Sequence, residues 1–242
     1  MLLAVDTSTA QVGLALYDGA QVIGEYAWRS SQRHTVELAP AIAELLARCG
    51  LSMNDVQTLG VALGPGSFTS LRVGLSLVKG LSLSRHIPLI GIPTLDILAN
   101  AQVASKLPLA VAIQAGRGRF ALGWYKRSSP VDKRSSPVDK RSSPVDKSSK
   151  NGWQAQGPAR VVTSEALKDE VKSPSLLCGE FTSEDRQKLE TNTDVHLVSP
   201  AQSVRRPAIL AELAWKRWQA GDVDDEASLA PIYLHTAEPI KS

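Results

Sequence analysis

Apolar residues in this chain follow two periods, and the switches between them mark its elements. Leu2–Val5 is a short apolar run that reads as a buried strand, and Asp6-Thr7-Ser8-Thr9 is a polar turn. Val12–Tyr17 predicts a second strand, Asp18-Gly19 signals a hairpin, and Gln21–Arg29 predicts the third strand of a meander. Val36, Leu38, Ile42, Leu45, Leu46 and Cys49 then fall at helical spacing, which predicts a helix over roughly 35–49 with Gly50 as its stop. Pro40 should lie near its start, because a proline deeper inside removes a backbone hydrogen bond. Leu59–Leu63 enters a Gly-Pro-Gly turn and leaves as a helix over 67–83. That helix is apolar almost all round, with charge only at Arg72 and Lys79, so it must be covered on more than one side. One cover is the sheet fed by Leu59–Leu63; the other is more of this chain or a second protein. A strand over 88–92 and a helix over 94–105 complete an α/β lobe.

A second lobe begins near Leu107. Strands are expected over 109–114 and 119–125, joined through Ala115-Gly116-Arg117-Gly118, with a returning strand over 157–163. Helices over 164–172 and 183–189 alternate with strands over 175–178 and 195–199. An amphipathic helix over 203–220 carries Trp215 and Trp218, and 229–235 closes the chain as an extended segment. The pattern of the first lobe recurs, so the expected fold is a duplicated α/β architecture. Its lobes are 1–104 and 105–242, with the 203–220 helix free to pack back on the first.

One segment fits neither lobe. Arg127–Lys147 is three copies of Arg-Ser-Ser-Pro-Val-Asp-Lys, followed by Ser148-Ser149-Lys150. One valine in seven residues cannot offset the entropy of ordering, and a proline in every repeat forbids a heptad coiled coil. The segment, about 127–150, reads as a disordered expansion of a hairpin tip, where insertions are tolerated. The competing reading is a basic tether for RNA or a partner, which the near balance of charge within each repeat disfavours.

Composition narrows the function classes. The chain has 242 residues, 43% of them hydrophobic, and a formal net charge of +3. This permits a nucleic-acid partner without arguing for one. The two cysteines, Cys49 and Cys178, read as buried thiols in a reducing compartment. No apolar run approaches a bilayer span and the N-terminus lacks a basic leader, so a cytoplasmic protein without membrane contact is expected. His34, His86, His196 and His235 form no metal-ligand spacing, and no nucleophile elbow or Cys-x-x-Cys is present. Asp6-Thr7-Ser8-Thr9 with nearby backbone N–H groups suits a Mg-phosphate, as in sugar kinases, actin and Hsp70-type ATPases. It equally suits a hairpin capped by its own side chains. Gly64-Pro65-Gly66-Ser67 opens a helix and could attract an anion. It lacks the Lys-Ser/Thr of a P-loop and reads better as a tight turn with Ser67 or Thr69 as cap.

Three stretches carry a resemblance. They are Leu2-Leu3-Ala4-Val5-Asp6-Thr7-Ser8-Thr9, His34-Thr35-Val36-Glu37-Leu38-Ala39-Pro40-Ala41-Ile42, and Gly64-Pro65-Gly66-Ser67-Phe68-Thr69-Ser70-Leu71-Arg72-Val73-Gly74. Together they closely resemble the TsaB (YeaZ) family. The likeness is strong over 1–104 and thinner beyond, where Pro231-Ile232-Tyr233-Leu234 is similar to the family's closing segment. The resemblance implies two duplicated lobes of actin/Hsp70/sugar-kinase (ASKHA) type. It implies a non-catalytic dimerisation and activation subunit in the synthesis of threonylcarbamoyladenosine, in tRNAs reading codons that begin with A. The implied partners are TsaD, through the first two helices, and the ATPase TsaE, with self-association when alone and tRNA touched at most indirectly. The implied interface includes Val36, Ile42 and Leu46 of the first helix and Ser67, Thr69, Ser70, Arg72, Val73, Gly74 and Leu77 of the second. Ser70 is often glycine in the family, and Ser70 with Gly74 should let another backbone approach closely, either the chain's own sheet or a partner helix.

The resemblance also implies degeneracy. TsaD has a His-x-x-x-His metal pair where Thr94 and Leu98 stand here, and a Ser-Gly-Gly-His phosphate loop where Gln114-Ala115-Gly116-Arg117 stands. No catalytic residue, metal or cofactor is therefore expected, and Asp6 is a vestigial candidate. The alternative is an ATP-dependent phosphotransferase of the same fold using Asp6 and the Ala115-Gly116 turn. A metallopeptidase lacks any zinc-ligand set.

Overall fold

The structure is a computed structural model that describes all residues except 32, 117, 128–151, 172 and 235–242. The chain forms two compact units, one of Met1–Ile97 with Arg205–Tyr233 and one built around Leu98–Val204.

In the first unit, strands β1 (Leu2–Asp6), β2 (Gln11–Tyr17) and β3 (Val22–Arg29) form the expected meander. Asp18 closes its turn by accepting from the Ala20 and Gln21 amides. Helix α1 (His34–Arg48) follows, then β4 (Thr58–Ala62), helix α2 (Phe68–Arg85) and β5 (Leu89–Ile92). The sheet order is β3-β2-β1-β4-β5, antiparallel in the meander and parallel from β1 to β5. α1 starts at His34, so Pro40 lies two turns inside and not near the start as expected. It is on the exposed face, where solvent can serve the carbonyl that its missing N–H leaves unpaired.

Every residue of β1 is buried, because the sheet is covered on both faces. Leu3, Val5, Leu14, Leu16, Leu59 and Val61 face α1 and α2, and Leu2, Ala4, Ala15 and Ile90 face the opposite way. That second layer is the last helix of the chain, Pro207–Gln219. It lies on the first sheet through Leu210, Ala211 and Ala214, so this part of the 105–242 stretch belongs with the first unit. A Cβ on Gly60 would lie 2.9 Å from that of Ala214, so small residues on both sides set the close spacing of helix and sheet.

Beyond β5, α3 (Thr94–Asn100) leads into the second unit. There β6 (Leu109–Gln114) and β7 (Arg119–Arg127) form a hairpin, and the outer arm is split into β8 (Trp153–Ala155) and β9 (Arg160–Thr163), both pairing with β7. The single returning strand expected over 157–163 is thus two short ones. Then come α4 (Ser164–Glu170), β10 (Ser175–Gly179), α5 (Ser183–Glu190), β11 (Val195–Leu197) and the covering helix, α6. The order β11-β10-β6-β7-β8 repeats the first sheet: an antiparallel meander, then two parallel strands. Cys178 is fully buried in this sheet, and burial pushes its thiol up to about 12, far from reactivity at neutral pH.

A strap returns along the first unit after α6. Asp224 bridges Leu89, Ser82 Oγ donates to Glu226, and the Ile232 amide donates to the Leu63 carbonyl at 2.7 Å. Residues 229–234, expected as an extended segment, pair with no strand. Arg217 anchors the strap with hydrogen bonds to the Gly91 carbonyl, Asp222 and Asp224. Its burial lowers the guanidinium pKa, but the two carboxylates outweigh that and raise it.

Arg127, expected within the disordered segment, instead ends β7, and the rest of the repeats fall within 128–151, outside the described residues. Their flanks are in register: Arg127 pairs with Trp153 across β7 and β8. A two-residue Asn-Gly turn joining those positions is therefore expected to preserve the fold. Each halving of a loop's length reduces its closure cost by only about 0.6 kcal/mol, so thermal denaturation should find the melting temperature equal or slightly raised. A large fall would show that the repeats contribute to the core.

Candidate functional site: a neutralised carboxylate and an exposed helical groove

Two features of the first unit bear on function. The first is Asp6, at the end of β1. Its Oδ1 accepts from the Ser8 amide at 2.8 Å and from Ser8 Oγ at 2.6 Å. Its Oδ2 accepts from Arg205 Nε at 2.8 Å, and the two side chains are 3% and 1% exposed. Arg205 also donates to Thr9 Oγ1 and the Gln11 carbonyl, both at 3.0 Å. Both carboxylate oxygens are thus engaged and the charge is balanced in a buried site. The fold family's Mg-phosphate does not fit: a cation on Asp6 would sit beside a buried guanidinium, and expelling Arg205 would expose charges that now satisfy each other. Among the described residues, no group of three His, Cys, Asp or Glu side chains could hold a metal.

Thr94 and Leu98 do structural work. Thr94 Oγ1 accepts from the Gly64 amide at 2.9 Å and lies 2.7 Å from Ser8 Oγ. The Ser8 proton is committed to Asp6, so Thr94 must donate to Ser8. The Thr94 amide donates to the Gly64 carbonyl at 2.8 Å. This one residue fastens the β1–β2 turn to the turn after β4. Leu98 is fully buried. In the other unit, Gly116 of the Ala115-Gly116 turn has φ +109, and Arg117 lies outside the described residues.

The second feature is α2. Ser67 caps it, accepting from the Ser70 amide. The Ser67 amide donates to the Ser8 carbonyl at 2.7 Å, and a Cβ on Gly66 would lie 2.1 Å from that oxygen, so only glycine fits there. Ser70 and Gly74 are buried, and this corrects the expectation that they admit a partner's backbone. Thr7 Oγ1 donates to the Ser70 carbonyl at 2.8 Å, and a Cβ on Gly74 would lie 2.2 Å from Thr7 Oγ1. The close approach they permit belongs to the chain's own β1–β2 turn. Ile42 and Leu46, 5% and 4% exposed, likewise face the core and not an outer surface.

Of the expected interface residues, Thr69, Arg72, Val73 and Leu77 converge. With His34, Thr35, Leu38, Ala39, Phe68 and Ser76 they line a mostly apolar groove of about 470 Å³ between α1 and α2. Val36 is 57% exposed but does not line it. Sequence reasoning missed Phe68, 53% exposed, and Tyr233 of the strap. The Arg72 guanidinium stacks 3.7 Å above the Phe68 ring and donates to the Tyr233 hydroxyl at 3.0 Å. It also missed Arg205, because nothing local marks an arginine that pairs 199 positions away.

Comparison with known proteins follows from this geometry. Residues 27–135 match the family described as "TsaD: tRNA N6-adenosine threonylcarbamoyltransferase". The tRNA threonylcarbamoyladenosine biosynthesis protein TsaB of Bacillus subtilis is 32% identical over 98% of this chain and 95% of its own length. The Haemophilus influenzae TsaB is 43% identical over 41% of this chain and 42% of its own. The solved structure of YeaZ from Pseudomonas aeruginosa superposes with a TM-score of 0.71 at 22% identity, covering 96% of this chain and 99% of that one. That likeness establishes that the chain has the fold of YeaZ.

Two stability tests follow. Asp6→Ala strands a buried guanidinium and should cost about 3–5 kcal/mol, whereas Asp6→Leu with Arg205→Met should recover most of it in urea unfolding. Equal losses in both variants would mean that the pair is not the source of stability. Gly74→Ala should destabilise α2 through the Thr7 clash, while Gly80→Ala meets nothing within 4 Å and should stabilise by about 0.5–1 kcal/mol.

Proposed function

The chain belongs to the TsaB family of tRNA threonylcarbamoyladenosine biosynthesis proteins, and on that premise we propose that it acts without chemistry of its own, as the docking and activating subunit of a TsaD-type transferase. The observation that carries this reading is the pairing of an occupied carboxylate with an unfilled groove. Asp6 is bound to Arg205, and the first unit directs its polar residues to holding turns together. By contrast α2 presents Phe68, Val73 and Leu77 beside Ala39 of α1, an apolar strip that no other described residue of the unit fills.

Such a strip suits a pair of helices from the partner, which would complete a four-helix bundle with α1 and α2. Burial of apolar surface would drive the association at about 25 cal/mol per Å². Arg72, held by Phe68 and Tyr233, stands at the rim as an ordered, charged contact, the residue type that most often carries interface energy. The match of residues 27–135 to the TsaD family supports a paralogous pairing, in which two copies of one helical layout face each other. In this reading TsaE joins the TsaD-bound form, the groove accepts a second copy when TsaD is absent, and tRNA is contacted at most through the partner.

The competing reading is an ATP-dependent phosphotransferase using Asp6. The fully buried Arg205 weighs against it, since the metal would need the position that the guanidinium fills.

Ser76 is exposed on the groove, so Ser76→Trp should fill it without disturbing the core. The expected outcome is an unchanged melting temperature, loss of TsaD in a pull-down, and failure to support tRNA modification in a depleted strain. Normal complementation by a folded variant would move the interface elsewhere. Calorimetric titration of the wild-type chain with ATP and Mg should release no heat of binding. A saturable signal abolished in the Asp6→Leu, Arg205→Met variant would favour the phosphotransferase.

A further inference from the structure

Among the residues lining the α1–α2 groove, Arg72 is the only Lys, Arg, Asp or Glu. Its side chain is exposed, yet it is held on two sides. The guanidinium carbon lies 3.7 Å from the centre of the Phe68 ring, and Nε donates to the Tyr233 hydroxyl at 3.0 Å. The Phe68 and Tyr233 rings in turn pack on each other with centres 5.1 Å apart. A long charged side chain ordinarily loses rotamer freedom when a partner fixes it, which weakens binding. Arg72 meets much of that loss on folding.

The outer end of this guanidinium has no match. No described residue accepts from Nη1 or Nη2, and no described carboxylate pairs with Arg72. Arg48, Arg205, Arg206 and Arg217 of the same unit each face a carboxylate. The Nη1–Nη2 edge presents two parallel N–H donors at the spacing of the two oxygens of a carboxylate. The Tyr233 hydroxyl, having accepted from Nε, keeps its own proton as a further donor at the same rim. An apolar helix settling on the strip beside Arg72 would displace water from these donors, and a desolvated charge without a partner opposes binding. The backbone carbonyls of such a helix are committed to its own hydrogen bonds. A neutral amide side chain offers one acceptor oxygen and no charge. A carboxylate supplies both acceptors and the opposite charge.

We propose that Arg72 selects the partner of the groove: the docking helix of the TsaD-type transferase carries an Asp or Glu whose carboxylate takes both Nη groups. This contact presupposes the docking role of the groove and names the chemical group that must stand on the other side. Phe68 and Tyr233 are positioning residues, which hold the guanidinium with its free edge outward. A partner lacking the acid would leave Arg72 covered and unmatched, a penalty that acts against wrong partners. The groove of a second copy brings another Arg72 and no Asp or Glu, so the contact favours the transferase over self-association.

The test is calorimetric titration of the full chain with the purified transferase. Arg72→Met should weaken binding at least about tenfold. Tyr233→Phe removes the acceptor of Nε and should weaken it less, about threefold, an effect that should vanish in the Arg72→Met background. Each Asp and Glu on the docking helices of the transferase is then changed to Lys in turn. One of these changes should abolish binding of the wild-type chain and restore binding of Arg72→Glu. Arg72 is exposed, so circular dichroism should find its variants folded. If Arg72→Met melted low, Arg72→Lys would replace it, since it keeps the charge but not the paired edge and should lose at least about threefold. If Ser76→Trp blocks binding while the Arg72 variants bind as tightly as wild type, the docking reading survives and the carboxylate contact is overturned. If Ser76→Trp binds normally, both fall. Failure of every acidic position to couple with Arg72→Glu overturns the contact alone.

Discussion

The ion pair between Asp6 and Arg205 is the constraint on which the first unit turns. It joins the end of the first strand to the residue just before α6, so the sheet and the helix covering its far face are tied at one buried point. The pair is costly to bury and more costly to break. Replacing one member leaves a charge in a medium that cannot solvate it, while matched apolar replacements avoid that penalty. The arrangement also settles what Asp6 can do. A carboxylate that accepts from Ser8 twice and from a guanidinium has no oxygen left to direct at a ligand. The lobe thereby uses the atoms of its polar β1–β2 turn as internal fasteners, and Thr94 serves the same end between Ser8 and Gly64.

Helix α2 presents the complementary problem. Its sequence is apolar almost all round, and the lobe covers it piecemeal. Leu71, Leu75 and Val78 go inward, and Ser70 and Gly74 let the β1–β2 turn press against the backbone. α1 lies along one flank. The strap follows another, with Ser82 bound to Glu226 and Arg72 to Tyr233. What remains is the strip through Thr69, Val73, Ser76 and Leu77. It is mostly apolar and uncovered by the described residues, which is what the proposed docking role requires.

Much of this was legible in the sequence, and the failures have identifiable causes. The meander, the turn chemistry at Asp18-Gly19 and both long helices follow from period and cap, because each is decided by residues close in the chain. The orientation of Ser70 and Gly74 does not follow. Small residues four apart mark a close approach without saying from which side it comes, and here Thr7 supplies it. Pro40 misled in the other direction: an exposed proline deep in a helix is tolerated when water can serve the freed carbonyl. Ile42 and Leu46 have the spacing of a surface stripe, and only the packed sheet reveals that the stripe faces the core. Arg205 was illegible outright, since a buried partner far away in sequence leaves no local pattern.

The two sheets share one strand order but differ at their outer edges. The second sheet splits its outer arm into β8 and β9, and its β6–β7 turn relies on a positive-φ glycine. The first keeps a single long outer strand, eight residues of β3, alternating Glu25, Tyr26, Ala27, Trp28 and Arg29 along an open edge. Its side chains are tied back to the chain's own helices, Glu25 by Arg206 at the start of α6 and Trp28 by Glu37 of α1. α1 thus has two flanks with different roles. One meets α2 and bounds the apolar groove suited to helices, and the other meets β3. Because the same helix braces both, a substitution on its core-facing residues Leu38 or Leu45 would disturb both flanks together, whereas changes at Ser76 or Arg72 act on the groove alone. That asymmetry makes the groove separable by mutation from the fold that carries it.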